Sequence, residues 1–395
     1  MMKIFNPFKK KRPNIIMVFI DGAARQDALN LVPFYQDLKK ISTTFSSMIS
    51  YAPYSIASLN AIISGMYGNV NGVDGYYKAY NFDKKKIFTL TQYLEEEGYY
   101  NEMDFVLADA IPNEGFHKVR AFGADVAKNI DLAERHSEIL NQLKNKQPFF
   151  VFFDYNKIAL NLVTSVIKKY DDFSEGYFNN KEKNFVRYVG WVKESGIYLQ
   201  KLLDHIKKIG LYENSIIIIF NDHGCSVGDK VGEKVYGVYL FDYTIKCSAW
   251  LIGKDFPKGM EIKNTIRSID MMPSILEALG IQQKKGYKPI QGKSFLPFLD
   301  GNIEKRIAYS ETGGLGGPTP SPNTHNVQSV RTDHWKLVHN KTNKKTELYN
   351  LDEDNEENNN LSGKGLSIET ELWKELEKIS EENAKINEEF SAKNQ

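Results

Sequence analysis

Two apolar runs in this chain stop at acidic residues, and both read as strands buried on two faces. NIIMVFI leads into Asp21, and SIIIIF leads into NDHGCSVGD with Asp222 and His223. Unbroken apolar runs of this length suit a parallel sheet covered by helices on both sides. Strand-like runs recur at MDFVLA, PFFVFFDY and SAWLIG.

Helical spacing fills the intervals. SIASLNAIISG stops at Gly65, and FTLTQYLEEEGY reads as a surface helix ending near Gly98. Long helical patterns occupy 161–210, where VGWVKESGIYLQKLLDHIKKIG ends in a basic turn and a glycine, as a helix C-terminus should. SIDMMPSILEALGI opens on a capping residue before an apolar stripe. This alternation predicts a three-layer α/β/α sandwich with a mostly parallel central sheet.

The texture changes near the end of the chain. A loop, GGLGGPTPSPNTHN, precedes VQSVRTDHWKLVHN, whose alternation reads as antiparallel strands. An acidic turn, DEDNEENNN, and an amphipathic charged helix follow. The expected organisation is a basic arm (1–12), an α/β core (13–290), a C-terminal subdomain with the loop and a small antiparallel sheet (291–351), and the acidic turn with its helix (352–395). A chain of 395 residues exceeds one usual core, which fits a large unit with an appendage.

Charge points to no partner class. Lysine and arginine total 51 against 50 acidic residues, which gives no electrostatic ground for a nucleic-acid partner. The start, MMKIFNPFKKKRPN, is basic without the apolar stretch of a secretory signal and is expected to be a solvated arm. The apolar runs are far shorter than the ~20 residues of a membrane helix, so no membrane span is expected. Two cysteines, Cys225 and Cys247, build no disulfide framework and suit a reducing, cytoplasmic setting.

Catalytic and metal-binding groups in open α/β sheets gather at the carboxyl ends of strands. Asp21, followed by Gly22, suits either a metal ligand at the rim or a cap for the next helix. Ser55 stands at the expected first turn of a helix, where free N–H groups favour an anionic ester; the alternative is a plain capping serine. Asp222 and His223 are adjacent and precede a glycine, so both can ligate one divalent cation; the alternative is an aspartate cap beside an exposed histidine.

Together these residues resemble the sulfatase family of the alkaline phosphatase superfamily. NIIMVFIDG is similar to the family's first strand with its metal-binding aspartate. SIASLNAIISG is similar to the nucleophile segment, with Ser55, Ser58 and Gly65 in the matching places. NDHG, SIDMMPSILEALGI and VRTDHWKLVHN with TELYNLDEDNEENNNL follow in the family's order. The resemblance implies an ester hydrolase with Ser55 as nucleophile and one divalent metal ion (magnesium, manganese, calcium or zinc) held by Asp21, Ser55, Asp222 and His223. It also implies a small-molecule or glycan ester as substrate.

Departures from the family pattern shape the chemistry. Ala57 and Leu59 replace the proline and arginine that accompany formylglycine formation, Gly22 replaces a second aspartate, and no Gly-Lys-Trp-His segment is visible. The two-metal branches need an aspartate and two histidines. Asp154 offers the first, but Ile158 and Tyr236 stand where the histidines belong. With one metal, a cation must steady the transferring group. Arg25, Lys230 and Lys234 are the nearest by sequence, each otherwise an ordinary surface charge. His325, in the glycine-rich loop, is a spare ligand if it swings inward. His205, Tyr99, Tyr155 and Tyr188 are expected to pack.

Three functions follow as expectations. The first is phosphate-ester hydrolysis or transfer through Ser55, and the second is sulfate-ester hydrolysis. The third is a noncatalytic binding protein that keeps the sulfatase fold but has lost the second metal site.

Overall fold

NIIMVFI forms β1 (Asn14–Ile20), and all seven of its residues are buried. Its side chains alternate between two apolar cores: Ile15, Met17 and Phe19 enter one, while Ile16, Val18 and Ile20 enter the other. A strand covered on both faces needs apolar residues at every position, which accounts for the unbroken run. Burying each such side chain contributes roughly 1.5–3 kcal/mol. The computed structural model describes residues 12–302, 304–313 and 326–392. The calls on residues 1–11 of the basic arm and on His325 in the glycine-rich loop lie outside them.

The further strands of the large sheet are β2 (Thr43–Ile49), β3 (Tyr100–Phe105), β4 (Lys118–Ala121), β5 (Phe149–Tyr155), β6 (Ser215–Phe220), β7 (Lys246–Ile252), β8 (Met260–Ile262) and β9 (Ile266–Arg267). Their order is β4-β3-β5-β1-β6-β7-β2-β8, and β9 also pairs with β2. β1 runs parallel to both β5 and β6. β7 is antiparallel to its neighbours β6 and β2. Helices cover both faces, among them Ser55–Ser64, Lys181–Lys208 and Met271–Leu279.

A second, antiparallel sheet follows in the order β10 (Ala308–Thr312), β11 (Val327–Arg331), β12 (Trp335–Asn340) and β13 (Lys345–Asn350). The C-terminal helix Ser367–Ala392 lies against it, with Leu372 and Leu376 buried and Trp373 edge-on to His339. The fold class read from the sequence, an α/β/α sandwich with a small antiparallel sheet, is the one found.

Several local expectations shift. MDFVLA is strand only as far as Phe105. FTLTQYLEEEGY yields the helix Leu90–Glu96, capped by Thr89, which exposes Glu95 and Glu96 and buries Leu90, Thr91, Tyr93 and Leu94 on its inner face. In SIDMMPSILEALGI, Ser268 does not cap the helix; its hydroxyl accepts the Tyr51 N–H at 3.1 Å. His205 is half-buried beside Asn141, and Tyr99, Tyr155 and Tyr188 are packed in the interior.

Candidate active site

β5, β1 and β6 are neighbours, so their carboxyl ends bring Asp154, Asp21 and Asp222 to one rim of the sheet. The Ser55–Ser64 helix packs on the core face that also holds Phe19, Phe152 and Phe220. Tyr54 takes the cap position and leaves Ser55 as the first helical residue. Its hydroxyl is therefore not used for capping. It donates to Asp21 Oδ1 at 3.2 Å and lies 3.1 Å from His223 Nε2. Nor does Asp21 cap a helix, since the next one, Gln26–Leu31, begins after Arg25.

His223 and Asp222 are fully buried. His223 Nδ1 lies 2.8 Å from the Gly224 carbonyl, and a carbonyl only accepts, so Nδ1 carries a proton and Nε2 faces the site. Nε2 is 3.4 Å from Asp21 Oδ1 and 3.7 Å from Asp222 Oδ2. Asp222 Oδ1 accepts the N–H groups of His223 (2.9 Å) and Gly22 (3.4 Å), whereas Oδ2 is buried with no hydrogen-bond partner. One ligand atom each from Asp21, Asp222 and His223 lie within 4.8 Å of one another. Two carboxylates, an imidazole and a hydroxyl make a donor set that fits a divalent cation, and the orphaned Asp222 oxygen is what such an ion would satisfy.

Protonation agrees with that geometry. Burial lifts the Asp222 carboxyl to about 6, with Asp21 adding to the rise and His223 opposing it. Burial works against charge on His223, yet the Asp222 and Asp21 carboxylates raise it to about 9. Without a cation, imidazolium Nε2–H thus points at Ser55 Oγ while Ser55 donates to Asp21.

The loops around the site use specific small residues. Gly22 has φ +78°, and its carbonyl accepts from Tyr188 OH at 2.6 Å. A Cβ on Gly224 would lie 2.1 Å from the Tyr243 carbonyl oxygen, so only glycine fits there. Ser58 Oγ donates to the Asp222 carbonyl (2.9 Å) and meets Ser50 Oγ at 2.9 Å, tying the Ser55–Ser64 helix to the end of β2 and to the β6 end. Tyr188 packs as expected, but its bond to the Gly22 carbonyl, the role of Ser50 and the tight fit of Gly224 have no signature in the local sequence beyond the NDHG pattern, which hints at the last.

The other candidates separate. Asp154 is buried, with Oδ2 accepting from the Val106 N–H (3.0 Å) and Oδ1 unpartnered. Burial and the nearby Asp21 and Asp222 carboxylates push its carboxyl well above the usual range. Ile158 is buried and sits with Leu162 against Gly22, 3.7 and 3.5 Å from where its Cβ would be. Tyr236 lays its ring 4.6 Å from the His223 ring. Arg25 is not a surface charge: it is buried and pairs with Asp229 (2.5 Å) and Asp27 (2.7 Å). Lys234 is also buried and donates to the Tyr170 carbonyl at 2.8 Å. Lys230 reaches the Glu357 carbonyl and Asn358. Among the described residues, no lysine or arginine bonds to Asp21, Ser55, Asp222 or His223.

The sheet, its acidic rim and the serine at a helix start suit an ester hydrolase of the alkaline phosphatase superfamily, and the family matches place the chain there. The chain belongs to the sulfatase family: residues 13–281 match Sulfatase, and residues 249–382 match the N-sulphoglucosamine sulphohydrolase C-terminal family. A sulfatase of Formosa agariphila is 22% identical over 83% of this chain and 78% of its own length. An N-acetylglucosamine-6-O-sulfatase of Bacteroides thetaiotaomicron is 28% identical, over 47% of this chain and 33% of its own. Among solved structures, a 2-O GAG sulfatase superposes with a TM-score of 0.76 at 15% identity, covering 97% of this chain and 94% of that one. The phosphonate monoester hydrolase of Agrobacterium radiobacter gives 0.70 at 14% identity, covering 95% and 96%. Among the described residues, no helix is long and apolar enough to cross a membrane.

Proposed function

We propose that this protein is a metal-dependent hydrolase or transferase of phosphate esters, with Ser55 as nucleophile and Asp21, Asp222 and His223 as metal ligands. The observation that carries this reading is Ser55 Oγ, held 3.2 Å from Asp21 Oδ1 and 3.1 Å from His223 Nε2 at a helix start. A bound divalent cation supplies charge that lowers the hydroxyl's pKa and polarises the ester. Asp21 orients the Ser55 proton and receives it as the Oγ–phosphorus bond forms and the ester's P–O bond breaks, the departing alkoxide taking its own proton from water. Water, or an acceptor alcohol, then releases the group from Ser55.

Phosphate is preferred to sulfate because Ala57 and Leu59 stand where formylglycine formation has its proline and arginine. Relatives and neighbours named for sulfated sugars make a glycan ester the natural organic part. The test is turnover of aryl phosphate mono- and diesters and of aryl sulfate with Mn²⁺. Ser55→Ala is expected to lose on the order of 10³-fold or more in kcat. Full metal-dependent turnover by that variant would sink the nucleophile assignment, and a marked preference for sulfate would sink the substrate assignment.

A second reading, a noncatalytic binding protein, is favoured by Ile158 packed against Gly22 and by Arg25, Lys230 and Lys234 all being engaged elsewhere. Metal uptake without turnover of any ester would select it.

A further inference from the structure

Strand β10 reaches across from the small sheet to the loops that carry the site, through three consecutive residues. Ser310 Oγ donates to the Ser50 carbonyl at 2.6 Å. Glu311 donates its N–H to the Tyr51 carbonyl (3.0 Å) and accepts from Tyr51 OH through Oε1 (2.6 Å). Thr312 Oγ1 donates to the Gly237 carbonyl at 2.5 Å. All three are buried.

What these bonds grip is specific. Tyr51 begins the short segment that runs into Ser55, and Ser50 Oγ meets Ser58 Oγ, which in turn bonds to the Asp222 carbonyl. Gly237 follows Tyr236, whose ring covers His223. One strand therefore holds the approach to Ser55 and the loop over His223.

Glu311 is an unusual choice for mere packing. Its Oε2 accepts from Tyr309 OH (2.6 Å) and Gln328 (3.2 Å), so the buried carboxylate is surrounded by neutral donors. Such a group is costly to bury and fixes direction at both oxygens, which an apolar residue cannot do.

We propose that Ser310, Glu311 and Thr312 are positioning residues that hold these two loops at one separation and so set the distance from Ser55 Oγ to His223 Nε2. The catalytic part of this inference rests on the function proposed above; the grip on the loops does not. A displacement of about 1 Å at a reacting pair costs about 100-fold in rate.

The experiment uses the full chain loaded with Mn²⁺, an aryl phosphate diester as substrate, and hydrogen–deuterium exchange on the same samples. Thr312→Val and Glu311→Ala are expected to lower kcat about 10- to 100-fold with KM nearly unchanged. Both should speed exchange in residues 50–58 and 235–240. Thr312→Ser, which keeps the hydroxyl, should restore kcat to within about threefold of the parent. Unchanged kcat, a Thr312→Ser variant as impaired as Thr312→Val, or faster exchange confined to β11 and β12 would each overturn the proposal. If Glu311→Ala does not fold, the Thr312 pair decides. Absence of turnover in the parent protein would remove the proposed function, and exchange in the two loops would still decide whether β10 holds them.

Discussion

His223 has one ring nitrogen committed to a backbone carbonyl and the other facing two carboxylates, so cation and proton compete for a single atom. Its pKa without metal is raised to about 9, and binding must expel that proton. Divalent-ion affinity is therefore expected to rise about tenfold per pH unit up to about pH 9. Below about 6 the fall with acid should steepen, as Asp222 also takes up a proton. Titration calorimetry with Mn²⁺ in buffers of different ionisation enthalpy measures both affinity and released protons. A flat profile between pH 6.5 and 8.5 would exclude His223 as ligand. Charge also sets a preference among esters. Asp21, Asp154 and Asp222 crowd the rim and, among the described residues, no lysine or arginine bonds to the Asp21, Ser55, Asp222 and His223 cluster, so singly charged esters should compete about tenfold or more better than doubly charged ones. Inhibition by a dialkyl phosphate against a monoalkyl phosphate tests this. At this scale the sequence was informative wherever a residue sat at a strand end or helix start, as Asp21, Ser55, Asp222 and His223 do. It was misleading for Arg25 and Lys234, because adjacency along the chain says nothing of which way a long side chain turns.

Elements were legible in proportion to how far local pattern alone determines them. β1, β5 and β6 could be read because strands buried on both faces need unbroken apolar runs. β2 escaped because TTFSSMI buries Thr43, Thr44 and Ser47, and Thr43 Oγ1 finds its partner in the distant Pro257 carbonyl at 2.7 Å. The loop after β6 was legible as NDHG, but not the reason for its glycine. Gly224→Ala would drive a Cβ to 2.1 Å from the Tyr243 carbonyl oxygen, a backbone atom that cannot swing aside. It would also strain the Gly224 N–H bond to the Thr244 carbonyl at 2.7 Å. A destabilisation of about 3 kcal/mol is expected, together with loss of metal affinity, since His223 is the preceding residue. Urea unfolding and metal titration of the same variant check both. Parental stability with parental affinity would mean that the loop relaxes freely.

At the scale of the whole molecule, the two sheets meet through buried charges that no local pattern announces, because the partners come from distant parts of the chain. Lys336, on β12, is fully buried and bonds Asp242 at 3.1 Å and Glu357 at 2.7 Å. Arg331, on β11, pairs with Asp242 at 2.9 Å, and Glu357 Oε2 accepts the Asp242 N–H at 2.6 Å. Asp242 lies just before β7 of the large sheet, and Glu357 belongs to the acidic turn, so the cluster ties three segments together. Burial opposes charge on Asp242, but Arg331 and Lys336 hold its carboxyl far below the usual range. Removing one partner strands the others. Lys336→Met keeps most of the apolar stem but leaves Glu357 without the Lys336 cation, and should cost about 3–5 kcal/mol in urea unfolding at neutral pH. The sign of its pH dependence is distinctive. Burial already raises the Glu357 carboxyl, and loss of Lys336 raises it further. Acid neutralises the stranded charge, so the deficit should shrink as pH falls through that raised value. Glu357→Gln in the Lys336→Met background should recover part of the loss at neutral pH and remove this pH dependence, because no ionisable group is then left unpaired at that position. A deficit equal at pH 5 and pH 8 would assign the cost to packing around the Lys336 stem instead.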